Sequence, residues 1–452
     1  MISSHSKEKF VRIFKYMWFT LSVVSAQTGI IKVSSLDSDT VLQNLNERLI
    51  DDQRLSLSFQ LESFSLNGNE STYKIIDGKK KIDTLMVNSN DEIHKKILDQ
   101  VFYPYRNVQI DHEFDHIGKN LVSRYSFITE EPNYQLGLID NKLGASVFFL
   151  PAFESNFSGI LGMSKMDNNW TLNGELNLQM ENYFNNAESS NFYWKRIDSL
   201  SQIIKLGFSL PHPFAWNTGI DIKYHHEIFR GLFTSMENRY MLNTFVPLLN
   251  SVGIGYVRGR TSPTKKGSGY GYKEISYQAF SFVSKKEDIN DRYLPTSGNA
   301  IQLMVDGGLD NELRFINSSI FLMSIIPINN STQCKLKFTG KGITYGGSHV
   351  PMSRYYWFGG ASSIRGYDEQ QFSATQFQVS SIELGYRTSN MMQAIAFIDV
   401  GSDQINIIER NWFGYGIGLS QLNKDFMIIL EYGLSGTSLD NGKLHVKWIS
   451  RL

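Results

Sequence analysis

Beyond residue 155 the apolar positions fall on alternate residues in stretch after stretch, a pattern that predicts long β-strands with two unlike faces. The clearest is Trp170–Met180. Trp170, Leu172, Leu176, Leu178 and Met180 share one side with Gly174, while Thr171, Asn173, Glu175, Asn177 and Gln179 share the other. A membrane-crossing strand of ~9–11 tilted residues shows this apolar-out, polar-in alternation. Val252–Tyr256, Ile301–Val305, Leu336–Phe338 and Phe426–Leu434 repeat it. A soluble sandwich would explain any one such strand. Repetition over 151–452, together with an export leader, points to an all-β transmembrane barrel.

Turn signals give the strand count. Breaks fall near Asp167–Asn169, Pro211–Pro213, Pro247–Asn250, Asp291–Gly298, Pro327–Thr332, Ser389–Gln393 and Leu422–Lys424, with one overlong interval between Pro327 and Ser389. Seven tight turns on one side join fourteen strands, and a first and a last strand bring the expectation to about sixteen antiparallel strands. Both barrel ends then lie on the side of the short turns, the periplasm in bacterial barrels. A spanning sheet must close, because an open edge leaves backbone groups unpaired in lipid. The first strand is either Ser155–Met163 or Leu143–Leu150.

Before residue 150 the period changes to a mixed one, and a small α+β region is expected over 27–150. Val41, Leu42, Leu45, Leu49 and Ile50 recur at helical spacing over Asp37–Arg54, with Asp37 or Ser38 as N-cap. Strands are expected at Leu55–Leu66 and Tyr73–Ile76. A complete β-α-α-β-β unit follows over about 78–150: a strand at Lys81–Val87, helices at Ser89–Val101 and Ile110–Tyr125, and strands at Tyr134–Ile139 and Leu143–Leu150. Such units either dock peptides along an open sheet edge or serve as spacers. Residues 1–26 read as a signal peptide: Lys7, Lys9, Arg12 and Lys15, an apolar run Tyr16–Val24, then Val24-Ser25-Ala26. The run is too short to span a bilayer, and no other stretch approaches ~20 apolar residues.

Composition narrows the chemistry. Aromatics reach 13% and Gly numbers 36 against 41% apolar residues, as expected of strands apolar on one side only. Lys plus Arg equals Asp plus Glu at 44 each, so no basic field points to nucleic acid. Cys334 is the single cysteine, which excludes a disulfide framework and argues against a Cys-rich zinc site. Gly267-Ser268-Gly269-Tyr270-Gly271 lacks the Lys-Ser/Thr and helix of a phosphate loop, and His225-His226 point to opposite strand faces. No catalytic arrangement, metal site or cofactor is expected.

The overlong interval holds Phe358-Gly359-Gly360-Ala361-Ser362-Ser363-Ile364-Arg365-Gly366-Tyr367. Gly359-Gly360 followed by Ile364-Arg365-Gly366-Tyr367 resembles the sixth-loop motif of the BamA/TamA outer-membrane assembly superfamily. Ser381–Tyr386 and Phe397-Ile398-Asp399-Val400-Gly401 resemble the motifs of the next two strands, and Leu294–Gly298 the family's Pro-Thr-x-Gly turn. The small units resemble POTRA domains. The resemblance implies a loop folded back into the lumen, with Arg365 against acidic groups of the wall. Parity supports this independently. Ile382, Leu384 and Tyr386 would face lipid, so Glu383 faces inward, and the set Ala394, Ala396, Ile398 and Val400 turns Asp399 inward likewise. A guanidinium engages two carboxylates at once.

Two departures stand out: the chain ends at Leu452 instead of an aromatic, and Ser450 interrupts the apolar face of Lys443–Leu452. Members of this type also usually carry more POTRA units. The resemblance implies a non-enzymatic factor that assists insertion, assembly or translocation of proteins at the bacterial outer membrane. Its partners would be the lipid bilayer, unfolded outer-membrane clients and assembly lipoproteins. The alternative is a two-partner-secretion-like transporter or passive pore for one substrate.

Overall fold

The computed structural model describes residues 30–451 apart from 52–56, 77–79, 111, 140–141, 167–168, 199, 214–216, 247–248, 348, 362 and 407–408. The expected leader lies outside the described residues. Two compact units emerge: one holds the N-terminal sheets, the other the barrel together with Ser89–Val101 and Asn120–Glu130.

In the first unit, helix Ser38–Asp51 buries Val41, Leu45 and Leu49 at the predicted spacing. Asp37 caps it, its carboxylate accepting from Thr40 N–H at 3.0 Å and from the Thr40 hydroxyl at 2.8 Å. The accompanying sheet has the order Ile30–Val33, Glu70–Ile76, Ser58–Ser65. Strand Ile30–Val33, four residues long, is too short for alternation to show in the sequence. The second sheet places Lys142–Phe149 between Thr84–Ser89 and Asn133–Ile139. Its strand Thr84–Ser89 starts later than Lys81, which makes only an isolated bridge to Gln109. The helix expected from Ser89 begins at Lys95, since Ser89 instead turns the chain, accepting from Asp91 N–H at 3.2 Å. Phe102, Tyr105, Phe114 and Phe149 are buried in this region.

Sixteen strands among the described residues close into one antiparallel barrel, from Asn156–Met166 to Lys443–Arg451. Lys142–Phe149 belongs to the small sheet, so the barrel begins at Asn156. No described helix is long and apolar enough to cross a membrane; the crossing elements are strands. Register bears out the alternation. Leu303 and Ile382 are outward and exposed, while Asp306, Ser381 and Asp399 are buried inside. The rim carrying both barrel ends is here called the terminal rim, and the opposite one the far rim.

One turn needs correction. The break expected at Asp167–Asn169, of which 167–168 lie outside the described residues, falls between Met166 and Asn169, the far-rim ends of the first two strands, and not on the terminal rim. Its place among the terminal-rim turns is taken by 182–188, a loop without Gly or Pro. There Asn182, Asn185 and Ala187 take positive φ, and the Glu188 carboxylate accepts from Phe184 N–H at 2.6 Å and Asn186 N–H at 3.0 Å. The total of sixteen stands because one omission offset one misplacement.

Candidate functional site in the barrel lumen

Between the eleventh barrel strand, Thr332–Tyr345, and the twelfth, Gln376–Ser389, the chain makes its longest far-rim excursion. This loop contains a short hairpin, Tyr356–Phe358 paired with Phe372–Ala374. Aromatic faces hold the hairpin against the wall: Phe358 stacks on Phe377 at 4.6 Å and Phe372 on Trp412 at 4.3 Å. Gly359 and Gly360 adopt φ of 110° and 89°, which side chains rarely tolerate. They start a tight turn closed by Ser363 N–H to Gly360 O at 3.1 Å. Ile364 then enters the core beside Phe358, Phe377 and Val379, fully buried.

Arg365 follows it inward and is 4% exposed. Its Nε and Nη2 grip Asp399 at 2.8 and 2.7 Å, a bidentate fork. Asp399 also accepts from the Arg365 backbone N–H at 3.0 Å and the Ser381 hydroxyl at 2.6 Å. Nη1 reaches both Glu383 and Glu431 at 2.9 Å. The guanidinium lies 3.5 Å over the Phe397 ring. Lys335 pairs with the second oxygen of Glu383, so the cluster brings two cations to three carboxylates. Loss of one member would strand a buried charge.

The wall is shaped to receive this segment. A Cβ on Gly433 would lie 3.0 Å from the Arg365 carbonyl carbon, and one on Gly414 or Gly401 would collide with Arg365 O or Ile364. Gly366, at φ 97°, passes so close to the Leu434 backbone that a Cβ there would stand 2.5 Å from it. Tyr367 stays nearer the rim and donates to Phe413 O at 3.3 Å.

The two carboxylates named from sequence, Glu383 and Asp399, thus meet Arg365. Glu431 and Ser381 were missed as partners, although Glu431 sits on the inward parity of Phe426–Leu434. A second buried network escaped the sequence reading altogether. Arg239 grips Asp306 at 2.7 and 2.9 Å and reaches Ser281 at 2.6 Å, and Glu237 accepts from Tyr277 at 2.5 Å. Arg354, from the start of the loop, stacks 3.8 Å over Tyr277. These residues sit on three different strands and the loop, so no local motif announces them. His225 faces the lumen and His226 lipid, and among the described residues no group of His, Cys, Asp and Glu could hold a metal.

A sixteen-strand barrel with small N-terminal sheets and an inserted Arg loop is now matched by direct comparison: residues 144–422 fit the Omp85 superfamily domain. The chain belongs to the Omp85 superfamily. It is similar in structure to BamA from Haemophilus ducreyi lacking POTRA domains 1-3, at 12% identity and a TM-score of 0.54, over 92% of this chain and 94% of that one. CdiB from Acinetobacter baumannii aligns at 12% identity and TM-score 0.57, over 92% and 81%. CdiB from Escherichia coli aligns at 16% and 0.58, over 92% and 84%. No curated protein sequence matches the chain. As an Omp85 barrel it is an outer-membrane protein of a superfamily that acts on protein substrates.

Proposed function

We propose that this Omp85 barrel is a non-enzymatic factor assisting the insertion and assembly of proteins at the outer membrane, with its N-terminal units in the periplasm. The observation that carries the reading is the seam. The first barrel strand pairs with the second along all of Asn156–Met166, but with the last strand only at Asn156–Ser158 against Ile449–Arg451. Backbone groups of Gly159–Met166 and Lys443–Trp448 thus lack seam partners among the described residues, which is costly in lipid and invites an added strand. Arg365 and its carboxylates would brace the wall while the seam moves. The N-terminal sheets have open edges, and exposed Leu61 and Phe64 on strand Ser58–Ser65 suit the holding of extended clients.

Transport of one dedicated substrate is the second reading, favoured by the structural likeness to CdiB. Depletion of the protein followed by quantitative outer-membrane proteomics separates the two. Loss of many barrel proteins is the expected result; loss of one secreted protein with the barrel complement intact would replace assembly with dedicated transport.

A further inference from the structure

The half of the seam that lacks backbone pairing is also the half nearest the far rim, where the Arg365 loop crosses the lumen. On the last strands this loop is anchored deeply, through Arg365 to Asp399 and Glu431. It also reaches the final strand, Asp368 meeting Lys443 at 2.7 Å on an exposed edge. Immediately afterwards the chain turns to the first strands. Glu369 meets Lys195 of the third strand, Ser189–Asp198, at 3.3 Å, and Lys195 in turn meets Glu175 of the second strand at 3.4 Å. The carbonyl of Gln370 accepts from Arg230 Nη2 at 3.0 Å, and the same guanidinium stacks 4.8 Å over Trp357. Arg230 stands in the turn after the fifth strand, Gly219–Phe229.

We propose that Asp368–Gln370 is a strap across the seam, with Arg365 as its anchor on the last strands and Lys195 and Arg230 as its catches on the first. Glu369 is the central positioning residue. Its other oxygen accepts from Ala361 N–H at 2.9 Å, so the tie runs from the wall through the glycine turn to the buried arginine. A strand edge with missing partners needs a tie of another kind. Side-chain ion pairs supply one that opens without breaking a sheet. Being partly exposed, each pair shifts the open–closed balance by only about threefold, so the strap is weak enough to release. The strap rests on the reading of the seam as a moving part, and is independent of which protein is the client.

Pulsed electron–electron distance measurement tests it on the full chain, with nitroxides at Leu200→Cys and Leu439→Cys, both on far-rim turns, in a Cys334→Ser background. Lys195→Glu and Glu369→Lys should each enlarge the long-distance population by about threefold, and the charge-swapped double variant should restore the original distribution. Unchanged distances in both single variants would overturn the strap. So would widening in Lys195→Glu with none in Glu369→Lys, since the lost Glu175 pair alone would then explain it. Should a reversal prevent folding, Lys195→Gln and Glu369→Gln give the same reading. If depletion leaves barrel proteins intact, the assembly role fails while these distances still decide the strap.

Discussion

Arg365 draws together residues 381, 383, 399 and 431, on three strands that no sequence window spans. Its worth lies in the fork: Nε and Nη2 satisfy both oxygens of Asp399, and a lysine ammonium cannot do this while also reaching Glu383 and Glu431. Arg365→Ala removes the cation from buried Asp399 and leaves Lys335 alone among three carboxylates, at a cost of about 3–5 kcal/mol. A much lower melting temperature in detergent is expected, with Arg365→Lys in between; an unchanged melt together with unchanged function would sink the bracing role. At Tyr105 the relevant quantity is pH. Burial foremost, then Tyr134 and Glu131 nearby, pushes its phenol up to about 12. A raised phenol favours the protonated folded form, so its stabilisation is complete below the unfolded value of ~10 and is lost as pH rises towards 12. Ultraviolet titration should show a tyrosine ionising near 12 as its unit loosens, and Tyr105→Phe should remove that step.

Among elements, the strands were the most legible, since two faces in two media force alternation. Adjacent positions in Gly298–Asp310 test this directly: Leu303 faces outward, and Gln302 faces inward opposite Lys285. Leu303→Arg should cost about 2–4 kcal/mol in refolding into lipid vesicles, while Gln302→Glu should be near neutral. Equal costs would contradict the assignment of faces. Less was legible where local chemistry overrides pattern. Ile93 continues the helical spacing of Ile97, Leu98 and Val101, yet the helix starts only at Lys95, after a turn in which the Ser89 hydroxyl accepts from Asp91 N–H. Loop 182–188 has no Gly or Pro, so its turn rests on Asn positions with positive φ that read as ordinary polar residues.

For the whole molecule, the even strand count returns both barrel ends to one rim and leaves a single seam to be secured. Parity and motif order placed Arg365, Glu383 and Asp399 on one lumen. They gave no hint of Arg239, Asp306, Glu237, Tyr277 and Arg354, because that network depends on barrel curvature bringing strands 237–317 under the loop. The weak pairing of the seam was not readable either: Leu444, Val446 and Trp448 alternate regularly in the half that lacks partners, and the interruption at Ser450 falls in the half that pairs.

Gly401, Gly414 and Gly433 leave a trough in the wall that Ile364 and Arg365 fill. Neither side can pack alone: the trough without the loop is bare backbone, and the loop without the trough carries an unmatched cation. Insertion of the loop and curling of the last strands therefore form one cooperative step, and a chain that closes early with the loop outside is a kinetic trap.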